Sequence, residues 1–146
     1  MSGPRAWVDG AARGNPGEAG FGVVVEIDET RFEIGGYLGR ATNNVAEYVG
    51  TIAALAWAEQ LGLENLILHS DSELVVRQLS GEYRVKAPHL RPFYHRVLDL
   101  RDRLPGLEIH HVSRKENRAA DDLANRAIDE RMELPEWLDI PKPDAS

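Results

Sequence analysis

Cysteine is absent from the 146 residues, which excludes disulfides and thiolate metal sites and fits an intracellular protein. Also missing is any apolar run near the roughly 18 residues of a membrane span, and the N-terminal stretch has no secretory h-region. The expectation is a cytoplasmic chain with no membrane partner. Internal repeats and low-complexity segments are lacking too. Positive charge is scarce: 17 Lys and Arg face 24 Asp and Glu, for a net charge of −7. That argues against a protein that coats nucleic acid through a basic surface. It leaves room for a nucleic-acid enzyme whose acids hold divalent cations, because a bound cation reverses the local sign. What remains, 42% hydrophobic and 28% charged residues, is ordinary globular composition, and this length buries a core in one domain.

Trp7-Val8-Asp9-Gly10 reads as a strand, followed by a turn at Asn15-Pro16-Gly17, where Pro fixes φ and Gly accepts positive φ. Phe21, Val23, Val25 and Ile27 alternate as a second strand, and Phe32, Ile34 and Leu38 as a third after the hairpin loop Asp28-Glu29-Thr30. The period then becomes helical: Val45, Val49, Ile52 and Ala56 share a stripe within Asn44–Leu61, closed by Gly62. Leu66-Ile67-Leu68 suits a strand buried on both faces. Helices are predicted over Glu73–Ser80, His89–Leu104 and Asn117–Met132, with a strand over Leu107–His111 between the last two. Residues 133–146, rich in Pro, read as a tail after a domain spanning 1–132. The order β-β-β-α-β-α-α-β-α gives an α/β fold, a five-stranded mixed sheet flanked by helices. Sites in such sheets gather where parallel strands end and helices begin.

Four acids fall at such places. Asp9 sits on the first strand, where turn duty is the plain alternative. Asp71 follows the buried strand, with N-capping as its alternative, although Ser72 offers a second cap. Glu47 lies in the first helical turn, at capping-box spacing from Asn44, and small Gly50 and Ala54 would let that helix approach the sheet. Asp121 lies one turn into the last helix beside Asp122, and spacing does not say which of the two turns inward. Together the four would repel one another unless a cation bridges them. Oxygen-only ligands suit Mg²⁺ or Mn²⁺, and a pair of such ions suits phosphodiester hydrolysis.

Trp7-Val8-Asp9-Gly10 with Gly14-Asn15-Pro16-Gly17, Thr42-Asn43-Asn44-Val45-Ala46-Glu47, Ser70-Asp71-Ser72 and Asn117-Arg118-Ala119-Ala120-Asp121 resemble type 1 ribonuclease H. The match runs in the family's order of elements to about Arg131. The resemblance implies a ribonuclease H-like fold and an endonuclease that cuts the RNA strand of an RNA–DNA hybrid, leaving 5′-phosphate and 3′-hydroxyl ends. It implies that Asp9, Glu47, Asp71 and Asp121 hold two Mg²⁺ ions, with Mn²⁺ as a substitute, and so selects Asp121 over Asp122. Gly10, Asn15, Asn43 and Asn44 match minor-groove contacts, and Thr42 a contact to a DNA-strand phosphate. A monomer is expected.

Two departures from the family pattern stand out. Many members carry a His in a flexible loop before the last helix, whereas Val112–Asn117 is shorter and has Arg114 near that place, as in a subgroup of the family. Arg stays protonated, so Arg114 would bind phosphate or help product leave rather than act as a base. His111 is the other candidate, but its strand position predicts packing. The basic protrusion of some members is also missing: Gly81–His89 is too short, although Tyr83, Arg84, Lys86 and His89 keep some of its character. Weaker or more salt-sensitive hybrid binding is expected. Two rivals remain: an exonuclease of the same fold, which would carry two acids one residue apart where Trp7 and Ala11 flank Asp9, and a nuclease-dead hybrid-binding module.

Overall fold

The computed structural model describes residues 3–142. Its elements are β1 (Arg5–Gly14), β2 (Gly17–Ile27), β3 (Thr30–Ala41), α1 (Asn43–Gln60), β4 (Asn65–Ser70), α2 (Glu73–Leu79), α3 (Arg91–Asp102), β5 (Gly106–His111) and α4 (Arg118–Asp129). Short 3-10 turns at Pro88–Leu90 and Lys115–Asn117 lead into α3 and α4. The sheet order is β3-β2-β1-β4-β5. β1 to β3 form an antiparallel meander, and β1, β4 and β5 run parallel. This is the mixed sheet and element order expected.

Helix α1 packs on β1 and β2, with α3 outside it, so it is buried almost all round. Its small residues make this possible. A Cβ on Gly50 would lie 2.7 Å from Val8 Cγ2, and one on Gly10 would collide with the backbone of Ala46 and Glu47. The helix start therefore rests directly on the middle of β1. Buried Tyr48 donates its hydroxyl to Gln78 Oε1 at 2.6 Å and so ties α1 to α2.

The opposite face is covered unevenly. Helix α4 lies over β1, β2 and β3. Leu66 and Leu68 of β4 face the α1 side and are buried, but Ile67 between them is half-buried. The expected strand with two buried faces is thus buried on one, because among the described residues no helix packs on the outer side of β4 and β5. There Trp7 stacks on His69 with ring centroids 4.9 Å apart, and His110 follows at 6.1 Å. His111, expected to pack, is exposed because β5 is the edge strand.

Helix α1 starts one residue earlier than expected. Thr42 is its N-cap, with Oγ1 accepting from Val45 N at 3.2 Å, so Asn44 is a helical residue and not the cap of a box ending at Glu47. The described part of the tail lies against the body: Trp137, Leu138 and Ile140 pack on the core, and Arg96 donates to the Asp139 carbonyl at 3.1 Å. Residues 143–146 of that tail lie outside the described residues. Among the described residues no helix is long and apolar enough to cross a membrane.

Candidate active site

The register of the two central parallel strands builds the site. Val8 pairs with Ser70, so Asp9 and Asp71 leave the β1–β4 ladder side by side. Asp71 is free of capping duty. Ser72 is the N-cap of α2 and accepts from Val75 N at 3.3 Å, while Ser70 Oγ accepts from Ser72 N at 3.1 Å. Glu47 is equally free, since Thr42 caps α1, and the Gly10 N–H donates to its Oε1. Carboxylate oxygens of Asp9, Glu47 and Asp71 lie within 4.8 Å of one another. Asp121 comes from α4 and lines the same cleft as Asp9. Exposed Asp122 turns away, which resolves what spacing left open.

These acids line a cleft of about 490 Å³ together with Asn43, Arg114 and Asn125. Asp9 is only 5% exposed. Burial, then the charge of Glu47, pushes its carboxyl up to about 10, with the nearby Asp121 and Asp71 adding to the effect. Burial and the charge of Asp71 raise Glu47 to about 8, opposed by hydrogen bonds from Asp9 and Gly10 and by the Arg114 guanidinium. Without a cation, the cluster therefore keeps protons at neutral pH that free carboxyls lose. A donor set of carboxylate oxygens alone, short of positive charge, fits hard divalent cations.

Of the expected substrate-contacting residues, Gly10 and Asn43 line this cleft, whereas Asn15, Thr42 and Asn44 are not among its lining. Asn15 Oδ1 accepts from Asn43 N, and Asn43 Oδ1 accepts from Ala12 N, each at 3.1 Å. The carbonyl ends of Asn15 and Asn43 are thus structural. Their Nδ2 ends have no acceptor among the described residues. Asn44 is exposed with no side-chain bond among the described residues. His111 lies apart, on a second cavity with Glu73, Arg77 and Glu82. A third cavity of about 580 Å³ is lined by Tyr83, Arg84, Lys86, Arg91, Tyr94 and His95 among others.

Sequence reasoning missed three residues. Asn117, buried just ahead of α4, donates Nδ2 to the Val8 carbonyl at 2.8 Å and so fixes α4 to β1 one residue before Asp9. Asn125 and Arg13 form a bonded pair beside Asp121. The i, i+4 spacing of Asp121 and Asn125 was a visible signal.

This sheet order, with carboxylates gathered over the ends of β1 and β4, defines the ribonuclease H-like class. The family model described as reverse transcriptase-like matches residues 7–127. Ribonuclease HI of Halobacterium salinarum is 42% identical over 127 residues, which cover 86% of this chain and 64% of that protein. The solved RNase H1 structure from the same organism superposes with a TM-score of 0.84 over 88% of this chain and 99% of the solved one. An RNase H1 designated LC11, solved in complex with RNA/DNA hybrid, is 39% identical with a TM-score of 0.82, covering 87% of this chain and 97% of its own. A bifunctional protein of Mycobacterium tuberculosis is 44% identical over 124 residues, and there the match spans only 34% of the relative's length. The chain belongs to the reverse transcriptase-like family, within type 1 ribonuclease H.

Proposed function

We propose that the chain is an endonuclease that hydrolyses the RNA strand of RNA–DNA hybrids, leaving 5′-phosphate and 3′-hydroxyl ends. One observation carries the reading: acids from β1, α1, the β4 end and α4 converge on one cleft, with carboxylate oxygens of three of them within 4.8 Å of one another. Asp9, Glu47, Asp71 and Asp121 would hold two Mg²⁺ ions, with Mn²⁺ as a substitute. When bound, such a pair activates water and stabilises the leaving oxygen.

The chain's own residues supply the rest. Gly10 N–H orients Glu47, and no side chain in the cleft serves as a nucleophile. Arg114, whose charge acts on Glu47, offers a fixed cation to the scissile or released phosphate. Gly10 and Asn44, with the free Nδ2 groups of Asn15 and Asn43, are suited to minor-groove edges and 2′-hydroxyls, which distinguish RNA from DNA. Thr42, at the start of α1, is suited to a DNA-strand phosphate. Residues 1–132 form the catalytic domain, acting as a cytoplasmic monomer on hybrid.

The test incubates labelled RNA–DNA hybrid, duplex DNA and duplex RNA with Mg²⁺ or Mn²⁺. Cleavage confined to the RNA of the hybrid is expected. Equal cutting of all three duplexes removes the hybrid-specific reading.

A further inference from the structure

We infer that Asn125, itself oriented by Arg13, is a positioning residue that fixes the Asp121 carboxylate. This rests on the cation-site reading of the cleft and deepens it.

Asp121 is the outlying acid. The mutually close oxygens belong to Asp9, Glu47 and Asp71, while Asp121 reaches the cleft from a separate element, the first turn of α4. A carboxylate at a partly open helix start has several rotamers available, and something must select one. One turn on, Asn125 does this. Its Nδ2 donates to the Asp121 carbonyl at 3.0 Å and lies 3.4 Å from Asp121 Oδ1.

The two ends of an amide have nearly the same shape, so its direction must be set by neighbours. Arg13 sets it here. Its Nη2 donates toward Asn125 Oδ1 at 3.3 Å and the Asn125 carbonyl at 3.4 Å, while its Nη1 is anchored by Asp129 at 2.6 Å. Guanidinium has no acceptor. A flipped Asn125 would set its NH₂ against the Arg13 donors and its carbonyl against the Asp121 carboxylate. The series Asp129, Arg13, Asn125, Asp121 therefore joins the end of β1 to the fourth acid and admits one amide orientation. With Oδ1 held from the Asn125 side, Oδ2 of Asp121 remains for the cluster.

The experiment measures Mn²⁺ binding to the substrate-free protein by calorimetry, beside kcat and KM on hybrid, for four variants. N125A is expected to weaken Mn²⁺ binding about tenfold, the usual scale for an outer partner of a metal ligand. Its kcat should fall to match while KM for hybrid stays unchanged. R13Q should lose less, in the same direction. The double variant N125A/R13Q should be no worse than N125A, because Arg13 acts only through Asn125. Unfolding curves in EDTA separate these effects from loss of fold, and R13Q, a change at an exposed side chain, remains informative if N125A folds poorly. Wild-type Mn²⁺ affinity in both N125A and R13Q, or losses that multiply in the double variant, overturns the inference. D121N marks which idea fails. If it too binds Mn²⁺ normally, the cation-site reading of Asp121 falls and takes the inference with it. If D121N is impaired and N125A is not, the inference falls alone.

Discussion

Asp9→Asn replaces a titratable carboxyl by a neutral amide at almost constant volume, and its effects on cleavage and on stability run in opposite directions. In the cation-free fold at pH 7 the Asp9 carboxyl, raised from 3.8 to about 10, is protonated, whereas the unfolded chain holds it ionised. Keeping that proton from 3.8 up to pH 7 costs about 4 kcal/mol at ~1.4 kcal/mol per unit. Asn needs no proton and escapes the cost, although its buried amide loses about half the gain to desolvation. A net stabilisation of about 2 kcal/mol corresponds to a rise in Tm of roughly 6 °C for a domain of this size. The sign follows from linkage: a raised carboxyl stabilises the fold below its unfolded pKa and loses that contribution as pH climbs, so the advantage of Asn shrinks at pH 5. Cleavage should fall at least about a thousandfold, since several kcal/mol of transition-state stabilisation goes with the ligand. Thermal unfolding in EDTA at pH 5 and pH 7 reads the stability effect, and cleavage of hybrid in Mg²⁺ reads the ligand role. A lower Tm than wild type in EDTA at pH 7, or an equal gain at both pH values, refutes the electrostatic reasoning. A variant that keeps full Mg²⁺-dependent cleavage refutes the ligand role.

The same linkage predicts that the Tm gain from Mn²⁺ in the wild-type protein grows from pH 5.5 to pH 8.5, because protons on Asp9 and Glu47 compete with the cation; a gain independent of pH contradicts it. Arg114→Ala should lower kcat about tenfold without abolishing it, as expected for loss of one charge-assisted phosphate contact, and an unchanged kcat in steady-state assays retires the phosphate role. Truncation after Met132 exposes the core beneath Trp137, Leu138 and Ile140. A loss of about 2–3 kcal/mol from these half-buried side chains is expected, seen as a Tm lower by several degrees, and an unchanged Tm shows that the contact contributes nothing.

The four acids were legible in the sequence because one fell on the first strand and the others at two helix starts and a strand end, places that a mixed sheet brings together. Their alternatives were not equally legible. Asp71 and Ser72 are both good N-caps, and so are Thr42 and Asn44; propensity cannot rank them. The outcome is set by register, since Val8 opposite Ser70 leaves Asp71 at the level of Asp9, and Gly10 under Ala46 fixes where α1 begins. Asp121 and Asp122 are adjacent in a helix, and only the path of α4 across β2 decides between them. The half-open side of β4 and β5 escaped notice because a short apolar run reads the same whether one face is covered or two. The spacing of Asn125 from Asp121 was visible, but its orientation was not, because Arg13, 112 residues away, is what sets the amide's direction.

Capping by Thr42 and Ser72 has a consequence for descent. Helices α1 and α2 start on hydroxyls outside the acidic quartet, so neither depends on Glu47 or Asp71 for its first turn. Catalysis and architecture are thereby separate targets of mutation. On the proposed function, one base change that turns an acid of the quartet into its amide would silence cutting without unravelling a helix start. On that same function, a binder that would hold a hybrid without cleaving it is a single substitution away from this chain.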